Sequence, residues 1–387
     1  GWVLAPLLFI LYINEWPAML ANATVDVPTM GGMKLPSLHY ADDAVLLGRT
    51  PNALKKLVAS FVQFMSNLGL QTNFGKSKIM ACGNKQSRLS VLKVGTNHLS
   101  TVVEFPYFGV VFNSRHNWAS HIAYCSKKFY KALGAMMNLP GRGGRRLILP
   151  LVLVYKQQCL PIATYGAGVW GHANCSSLQR EENRWCRHLL MMPPSVPNYS
   201  IHRELGMSFI EDSIRKAPLL LWVSVWSNTE TSLCRTIIND CLKLDEGLSI
   251  PWLGYIRQVL VDLGLHNLFD SRDRIIKSDR QKLSNCCDLV FADIRLKKEL
   301  AKSSVETYIE LKLHSEIEHY LTLDMSNWER ALLTRFRLNN VHYLLNFRLG
   351  FYLRSNQSPC PCDGLSTQSQ IHFIMFCKFY DLPRKFF

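Results

Sequence analysis

Two adjacent aspartates, Asp42 and Asp43, lie in the middle of an apolar stretch of the chain. The stretch reads Leu35-Pro-Ser-Leu-His-Tyr-Ala-Asp-Asp-Ala-Val-Leu-Leu-Gly48, which predicts two short strands joined by a turn at the acidic pair. Neighbouring carboxylates repel each other and are costly at the tip of an apolar hairpin unless positive charge lies beside them. Two Mg²⁺ ions, about 3.5–4 Å apart, would supply that charge in a site for phosphoryl transfer. The alternative is an ordinary hairpin turn, in which Asp is common.

Local signals predict secondary structure on both sides of the acidic pair. Before it, Gly1-Trp-Val-Leu-Ala-Pro-Leu-Leu-Phe predicts a turn and then a helix with Pro in its first turn. Residues 25–35 predict a hairpin that turns at Gly31-Gly32. After the pair, Thr50-Pro51 is a helix-start signal, and Gly69 is the matching stop. Alternation over residues 90–94 and 99–105 predicts two further strands before a Tyr107-Phe-Gly turn.

In this order and spacing, four of these segments resemble the palm of reverse transcriptases of the non-long-terminal-repeat (LINE-type) retrotransposon family. The Gly1 helix is similar to the family's G-C-V-L-S-P-L-L-F segment, and Tyr40-Ala-Asp-Asp is similar to its Y-A-D-D metal turn. Asn73-Phe-Gly-Lys-Ser-Lys resembles N-x-x-K-T-K, and Tyr107-Phe-Gly resembles Y-L-G. The chain departs from the family pattern at Trp2, Ala5 and Ser77, where the family usually has Cys, Ser and Thr.

The resemblance implies an RNA-directed DNA polymerase that uses two Mg²⁺ ions, an RNA template, a DNA primer and deoxynucleoside triphosphates. It assigns metal binding to Asp42, as the ligand that bridges both ions, and to Asp43 as a weaker ligand or a charge that holds the turn. Lys76 would meet the triphosphate or protonate the leaving pyrophosphate. The nucleotide and the primer end would lie near Gly1, Tyr40, Ala41 and Asn73.

The resemblance also implies that the family's first metal-binding aspartate precedes Gly1. We therefore expect the 387-residue chain to be a fragment of the polymerase that is inactive as it stands. The alternative is a non-catalytic nucleic-acid-binding remnant, or a retroelement protein that has been adopted for another use.

Positive charge is concentrated in one part of the chain. The net charge is +15, from 44 basic and 29 acidic residues, yet no acidic residue lies between Glu104 and Glu181. Basic and aromatic residues alternate there, a pattern that suits a phosphate backbone better than a mixed-sign solvated face. The alternatives are a merely basic helical surface and, for residues 141–146, a flexible connector. The candidate nucleic-acid-binding residues are Lys127, Lys128, Lys131, Arg142, Arg145 and Arg146.

Four potential metal ligands lie close together near the C-terminus: Cys360, Cys362, His372 and Cys377. Thiolate and imidazole ligands at such spacing suit tetrahedral Zn²⁺. His372 and Cys377 would lie about one turn apart on a short helix. The apolar residues expected to pack behind the metal are Ile371, Phe373, Ile374 and Phe376. Unligated thiols are the alternative, since a Cys-x-Cys pair is common by chance. Many LINE-type proteins end in a similar Cys-Cys-His-Cys knuckle.

The predicted fold class is α+β. We expect a partial palm at residues 1–112, a helical thumb-like region at 113–197, a mostly helical region at 198–354 and a zinc-knuckle-like tail at 355–387. Small residues around Tyr165-Gly166 indicate close packing between helices, and Trp222 and Trp226 are predicted core residues. The twelve irregularly spaced cysteines and the lack of a span or secretory signal favour an intracellular protein without a membrane partner. The resemblance implies a ribonucleoprotein in the nucleus or cytoplasm.

Overall fold

A computed structural model describes residues 4–16, 19, 25–83, 91–138, 146–228, 232–300, 308, 312, 315–338, 360, 362–365, 372 and 376–378. Over these residues the fold is α+β, as predicted, with antiparallel hairpins in the first part and helices in the rest. The chain forms two compact units. The first comprises Gly1–Tyr124, Gly166–Ala173 and Ala217–Leu283, and the second comprises Cys125–Tyr165, Asn174–Lys216 and Ser284–Phe387.

The strands of the first unit pair as short antiparallel hairpins. Their bounds are Thr29–Met30 with Met33–Lys34, Ser37–Tyr40 with Asp43–Leu46, Val91–Val94 with Asn97–Ser100, and Glu104–Tyr107 with Val110–Asn113. The predicted hairpin that turns at Gly31-Gly32 is confirmed, and both glycines have positive φ. The prediction of one strand over residues 99–105 was wrong. Its two halves pair across different turns, one backward onto Val91–Val94 and one forward onto Val110–Asn113.

Helices make up most of the remaining described residues. In chain order they are Ala5–Tyr12, Pro51–Asn67, Ala119–Met137, Ile148–Val154, Leu160–Thr164, Ala167–Trp170, Ser176–Leu190, Asn198–Glu204, Ile210–Trp226, Leu233–Leu248, Pro251–Asp262, Asn267–Asp270, Asp279–Leu300 and Asn327–Arg337. A π-helical turn lies at Tyr155–Cys159, and 3₁₀ turns lie at Arg272–Arg274 and His319–Thr322. None of the helices described is both long enough and apolar enough to cross a lipid bilayer.

The helix Pro51–Asn67 supports the hairpins of the first unit. It begins as predicted, because the Thr50 hydroxyl accepts a hydrogen bond from the Ala53 N–H at 3.2 Å. Gly69, with a φ of +70°, follows its end. One face of the helix packs into a cluster that contains Ile13, Trp16, Val27, Leu57, Phe64 and Met65. Another face places Val58 in a second cluster with Ile79, Leu92, Val94 and Leu99.

The Gly166–Trp170 segment packs closely in the first unit, as the small residues predicted. Gly166 has a φ of +68°, and a Cβ there would lie 3.0 Å from Val110 Cγ2. A Cβ on Gly168 would lie 3.1 Å from the side chain of Leu221. Trp170 is fully buried, and its ring centroid lies 5.1 Å from that of His121. The segment therefore abuts the Glu104–Asn113 hairpin where a larger side chain would not fit.

Tryptophans form much of the remaining core of the first unit. Trp222 and Trp226 are buried, which confirms their prediction as core residues. The Trp222 Nε1–H donates to the Leu268 carbonyl at 2.8 Å, and its ring stacks on Phe269 at 4.9 Å. The indole is thus both packed and hydrogen-bonded, as a buried tryptophan requires.

A buried carboxyl group organises the second unit. Glu182 accepts hydrogen bonds from the Tyr155 hydroxyl at 2.5 Å, from Gln179 Nε2 at 2.8 Å and from the Ile210 N–H at 2.9 Å. Burial raises the pKa of Glu182 to about 7, while these hydrogen bonds oppose the shift. The group ties together three helical segments that are distant in sequence.

Gly206 lies at a tight contact in the second unit and provides a test of the fold. Its φ is +59°, and a Cβ there would lie 2.3 Å from the Ile317 backbone nitrogen. We expect Gly206→Ala to lower the free energy of unfolding by about 2–4 kcal/mol, because strain and a backbone clash add. Urea unfolding measures the change. Gly134→Ala is the control, since that helical glycine has open space around it and alanine should stabilise by about 0.5–1 kcal/mol. Equal effects at both positions would contradict the packing of residues 315–318 on Gly206.

Candidate functional site

The acidic pair lies at the tip of the Ser37–Leu46 hairpin. Tyr40 pairs with Asp43, so that Ala41 and Asp42 form a two-residue turn. Ala41 has a φ of +49°, in the left-handed region that costs a residue with a Cβ about 1–2 kcal/mol. Asp42 and Asp43 are both exposed. The predicted strand–turn–strand is therefore confirmed, and it presents two neighbouring carboxylates to solvent.

In the described part of the chain, no positively charged group is paired with either carboxylate of the turn. Within the residues described, neither side chain accepts a hydrogen bond or forms an ion pair. Adjacent exposed carboxylates are hard oxygen donors of the kind that Mg²⁺ binds together with phosphate oxygens. The chemistry of these two carboxylates therefore fits the predicted Mg²⁺.

The base of this hairpin is anchored in the core. The Trp16 Nε1–H donates to the Ser37 hydroxyl at 3.2 Å, and the His39 ring lies 6.0 Å from that of Phe61. Burial lowers the pKa of His39, so the imidazole is held neutral beside the apolar helix. Leu46 packs against the same core cluster. The carboxylates therefore project from a fixed base.

A second hairpin, Glu104–Asn113, lies against the acidic turn. The ring of Tyr40 meets that of Phe108 edge to face, with centroids 4.8 Å apart. Burial raises the pKa of Tyr107, and the negative charge of Asp43 raises it further. Sequence reasoning placed Tyr40 and Tyr107 in separate motifs and did not predict that their hairpins touch. The sequence signal for this contact is Phe108, an aromatic residue in a hairpin turn, where aromatic residues are uncommon.

The Asn73–Lys78 segment forms a compact turn of its own. Asn73 Oδ1 accepts a hydrogen bond from the Lys76 N–H at 3.1 Å, and the Asn73 carbonyl accepts one from the Ser77 hydroxyl at 2.8 Å. Lys76 and Lys78 are exposed. Neither a hydrogen bond nor an ion pair joins Lys76 to Asp42 or Asp43, all three of which are described. Asn73 shapes the turn, and the structure does not bring Lys76 into contact with the acidic pair. Gly1 lies outside the described residues.

Basic side chains line one exposed face of the helix Ala119–Met137. Lys127, Lys128 and Lys131 are all exposed there and fall at helical spacings of three and four residues. Tyr130 is exposed beside them. Arg146 is engaged by the protein, because its guanidinium donates to the His188 carbonyl at 3.1 Å and lies 3.3 Å from His188 Nε2. Arg142 and Arg145 lie outside the described residues.

The predicted cysteine–histidine set comes together in space. The ligand atoms of Cys360, Cys362, His372 and Cys377 all lie within 4.8 Å of one another. Cys360 Sγ lies 3.6 Å from Cys377 Sγ, and Cys362 Sγ lies 3.2 Å from His372 Nε2. Four ligands about 2.3 Å from a tetrahedral zinc ion would be about 3.8 Å apart, which is close to these separations. The donor set and its geometry fit Zn²⁺.

Local turns hold these ligands in place. The Gly364 N–H donates to the Cys360 carbonyl at 2.8 Å, and Gly364 has a φ of +69°. The Cys377 N–H donates to the His372 carbonyl at 2.7 Å, so the two residues lie one wide turn apart, as expected. Phe376 is exposed, because that turn directs it to solvent, and the prediction that it packs behind the metal was wrong. Ile371, Phe373 and Ile374 lie outside the described residues.

The thiol of Cys360 has a perturbed acidity. Burial raises its pKa to about 12, since a thiolate without a counter-charge is disfavoured away from water. A bound cation would reverse this preference and displace the proton. The cluster thus has the chemistry of a site whose ligands ionise when metal enters.

Residues 1–112 match the family described as reverse transcriptase (RNA-dependent DNA polymerase). The chain is 29% identical over 145 residues to a putative uncharacterized transposon-derived protein of Caenorhabditis elegans, covering 36% of this chain and 50% of that protein. It is 24% identical over 230 residues to the probable RNA-directed DNA polymerase from transposon BS of Drosophila melanogaster, and 22% identical over 226 residues to that from transposon X-element. Each of the two Drosophila matches covers 56% of this chain and 24% of the relative. The chain therefore spans between a quarter and a half of the relatives' length. No solved structure matches the chain significantly.

Proposed function

We propose that this chain, whose residues 1–112 belong to the reverse transcriptase family, forms part of the RNA-directed DNA polymerase of a non-LTR (LINE-type) retrotransposon. The observation that carries this proposal is the Tyr40-Ala41-Asp42-Asp43 turn, whose two carboxylates are exposed and have no partner among the described residues, and whose base is anchored in the core. Such an arrangement has little structural purpose, since unpaired adjacent charges repel, and it suits the binding of divalent cations beside a phosphate.

Each residue of the turn has a distinct part in the proposed reaction. When bound, Mg²⁺ neutralises charge on the phosphate that is transferred. Asp42, in the turn itself, is the main ligand, and Asp43, in the strand, is the weaker one. Tyr40 and Ala41 lie against the primer end, with Gly1 and Asn73 near the nucleotide. Lys76 is exposed and reaches the triphosphate or the leaving pyrophosphate.

We assign the remaining regions by the same reasoning. Residues 1–112 are a partial palm, residues 113–197 are thumb-like, and residues 198–354 form a mostly helical region. Residues 355–387 are a zinc-knuckle-like tail, in which Cys360, Cys362, His372 and Cys377 hold Zn²⁺. The partners are an RNA template, a DNA primer and deoxynucleoside triphosphates, and the protein works inside the cell as a ribonucleoprotein in the nucleus or cytoplasm.

Primer extension tests the proposed activity directly. The protein is expressed from its complete reading frame and given a primed RNA template, deoxynucleoside triphosphates and Mg²⁺. We expect template-dependent incorporation that stops when the RNA is omitted or when the metal is chelated. Tight binding of the primed template without any incorporation would favour the second candidate, a nucleic-acid-binding protein without catalysis, which the exposed lysine face also supports.

The lysine face yields a prediction that holds for either candidate. Replacing Lys127, Lys128 and Lys131 by alanine should weaken binding of a primer–template duplex, because fewer counterions are released from the phosphates. The slope of log affinity against log salt should become shallower by up to about three units. Fluorescence anisotropy over a range of salt concentrations measures that slope.

A second triple variant tests whether the weaker duplex binding comes from the lost lysine face or from the lower net charge of the protein. Lys243, Lys282 and Lys297 are also exposed, but each pairs with a neighbouring aspartate on its own helix. Replacing these three by alanine removes the same charge and should leave the slope unchanged. Similar slopes for the two triple variants would mean that the duplex does not bind on the Ala119–Met137 helix.

A further inference from the structure

Phe108 occupies a position in the Glu104–Asn113 hairpin that an aromatic residue does not favour. Tyr107 pairs with Val110, so Phe108 and Gly109 form a two-residue turn, with φ values of +48° and +75°. A turn with both residues in the left-handed region is of type I′, for which Asn-Gly is the preferred sequence. Phenylalanine is strained there, and 38% of its side chain remains exposed.

The ring of Phe108 makes its contacts at the acidic turn. It lies edge to face against Tyr40, with centroids 4.8 Å apart and planes 73° apart, and 4.0 Å from the ring of Tyr107. Tyr40 is itself 68% exposed and directly precedes Ala41, which also has a positive φ. Two hairpin turns that each contain a residue of positive φ thus meet through a pair of partly exposed rings.

The hairpin that carries Phe108 is held firmly behind this contact. Gly166 approaches Val110 so closely that a Cβ would lie 3.0 Å from it. The Val111 N–H donates to Nδ1 of the buried His121 at 3.2 Å. Among the strands described, the Ser37–Leu46 and Glu104–Asn113 hairpins belong to separate sheets, so no ladder of backbone hydrogen bonds joins them. The hairpin that carries Phe108 is thus fixed by its own packing, and the Phe108 ring contacts Tyr40 beside the acidic turn.

We propose that Phe108 is a positioning residue: its ring fixes Tyr40 and thereby holds the Asp42 carboxylate in the orientation that binds a divalent cation. The inference rests on the proposed function of the Asp42–Asp43 turn. A turn that is ordered before the cation arrives loses less conformational freedom on binding, and so binds more tightly. On this proposal, a strained residue is retained at the turn because its ring contacts Tyr40.

Binding of Mn²⁺, followed by electron paramagnetic resonance, tests this inference on the zinc-loaded chain. The Mn²⁺ binding that is lost in the Asp42→Asn chain is taken as the binding at the turn. Phe108→Leu should then weaken that binding about fivefold, the effect of losing one aromatic pair, and Phe108→Tyr should restore it. Phe112→Leu is the matched control, because Phe112 lies on the same hairpin at 37% exposure but contacts Tyr107 and Trp118. The Mn²⁺ affinity of the Phe112→Leu chain should equal that of the wild type.

A stability measurement separates positioning from a merely structural role. Phe108→Asn creates the Asn-Gly sequence that the type I′ turn prefers, so the thermal midpoint should stay the same or rise while Mn²⁺ affinity falls. If the midpoint and the affinity fall together, or if Phe108→Tyr does not restore binding, the positioning role is refuted. If Asp42→Asn removes no Mn²⁺ binding, the proposed function of the turn fails instead. If Asp42→Asn removes it and Phe108→Leu matches the wild type, only the role of Phe108 fails.

Discussion

Asp42→Asn is expected to reduce RNA-templated DNA synthesis by about a thousandfold or more, whereas Asp43→Asn should cost less. Asparagine has nearly the same size as aspartate but lacks the charge that holds a divalent cation. Asp42 lies in the turn itself, exposed and without a hydrogen-bond partner among the described residues, so its charge serves no contact within the fold. Asp43 belongs to the strand, and its charge also acts on Tyr107. The two positions should therefore differ.

Single-turnover primer extension with the protein from its complete reading frame measures both rates. Asp270→Asn is a suitable control, because Asp270 is an exposed carboxylate far along the chain and its neutralisation should leave the rate unchanged. Circular dichroism of each variant checks that the overall secondary structure is retained. Equal losses at Asp42 and Asp43 would overturn the division of roles. Unchanged synthesis by the Asp42 variant would mean that the turn is not the metal site.

Elements with strong local signals were predictable from the sequence. Thr50 and Pro51 begin a helix because a hydroxyl cap and a fixed φ act within one turn, and the cap hydrogen bond is present. Gly31 and Gly32 form a hairpin turn because glycine adopts positive φ values without strain, and both residues have them here. The cysteine–histidine cluster was also predictable, since its four ligands lie within 18 positions.

Contacts between distant segments were not predictable in this way. The apolar run at residues 99–105 gives no local sign that it divides between two hairpins, because each half depends on a partner across its own turn. The Tyr40–Phe108 contact joins residues 68 positions apart, and the positive φ of Phe108 runs against its intrinsic preference. The buried Glu182 is likewise satisfied by donors that only the tertiary fold brings together. In each case a non-local interaction overrides or completes the local pattern.

Cys377→Ser is expected to weaken zinc binding by more than about a hundredfold, because it removes one of four ligands from a preformed cluster. Cys360 is buried, so without the cation its thiol would stay protonated rather than hold an unpaired charge. The wild-type chain should bind one zinc ion at this cluster. Cobalt substitution should give the visible absorption of a tetrahedral thiolate site, and the variant should lose it.

Two controls make this prediction specific to the cluster. Cys234→Ser removes an exposed cysteine elsewhere and should leave metal content and the cobalt spectrum unchanged. Lowering the pH should release the metal from the wild-type chain, since protons compete for the thiolates and burial raises the pKa of Cys360 to about 12 when no cation is present. Competition with a chromogenic chelator measures affinity for each chain. If the wild-type and Cys377→Ser chains lose zinc to the chelator equally, the four side chains meet for packing alone.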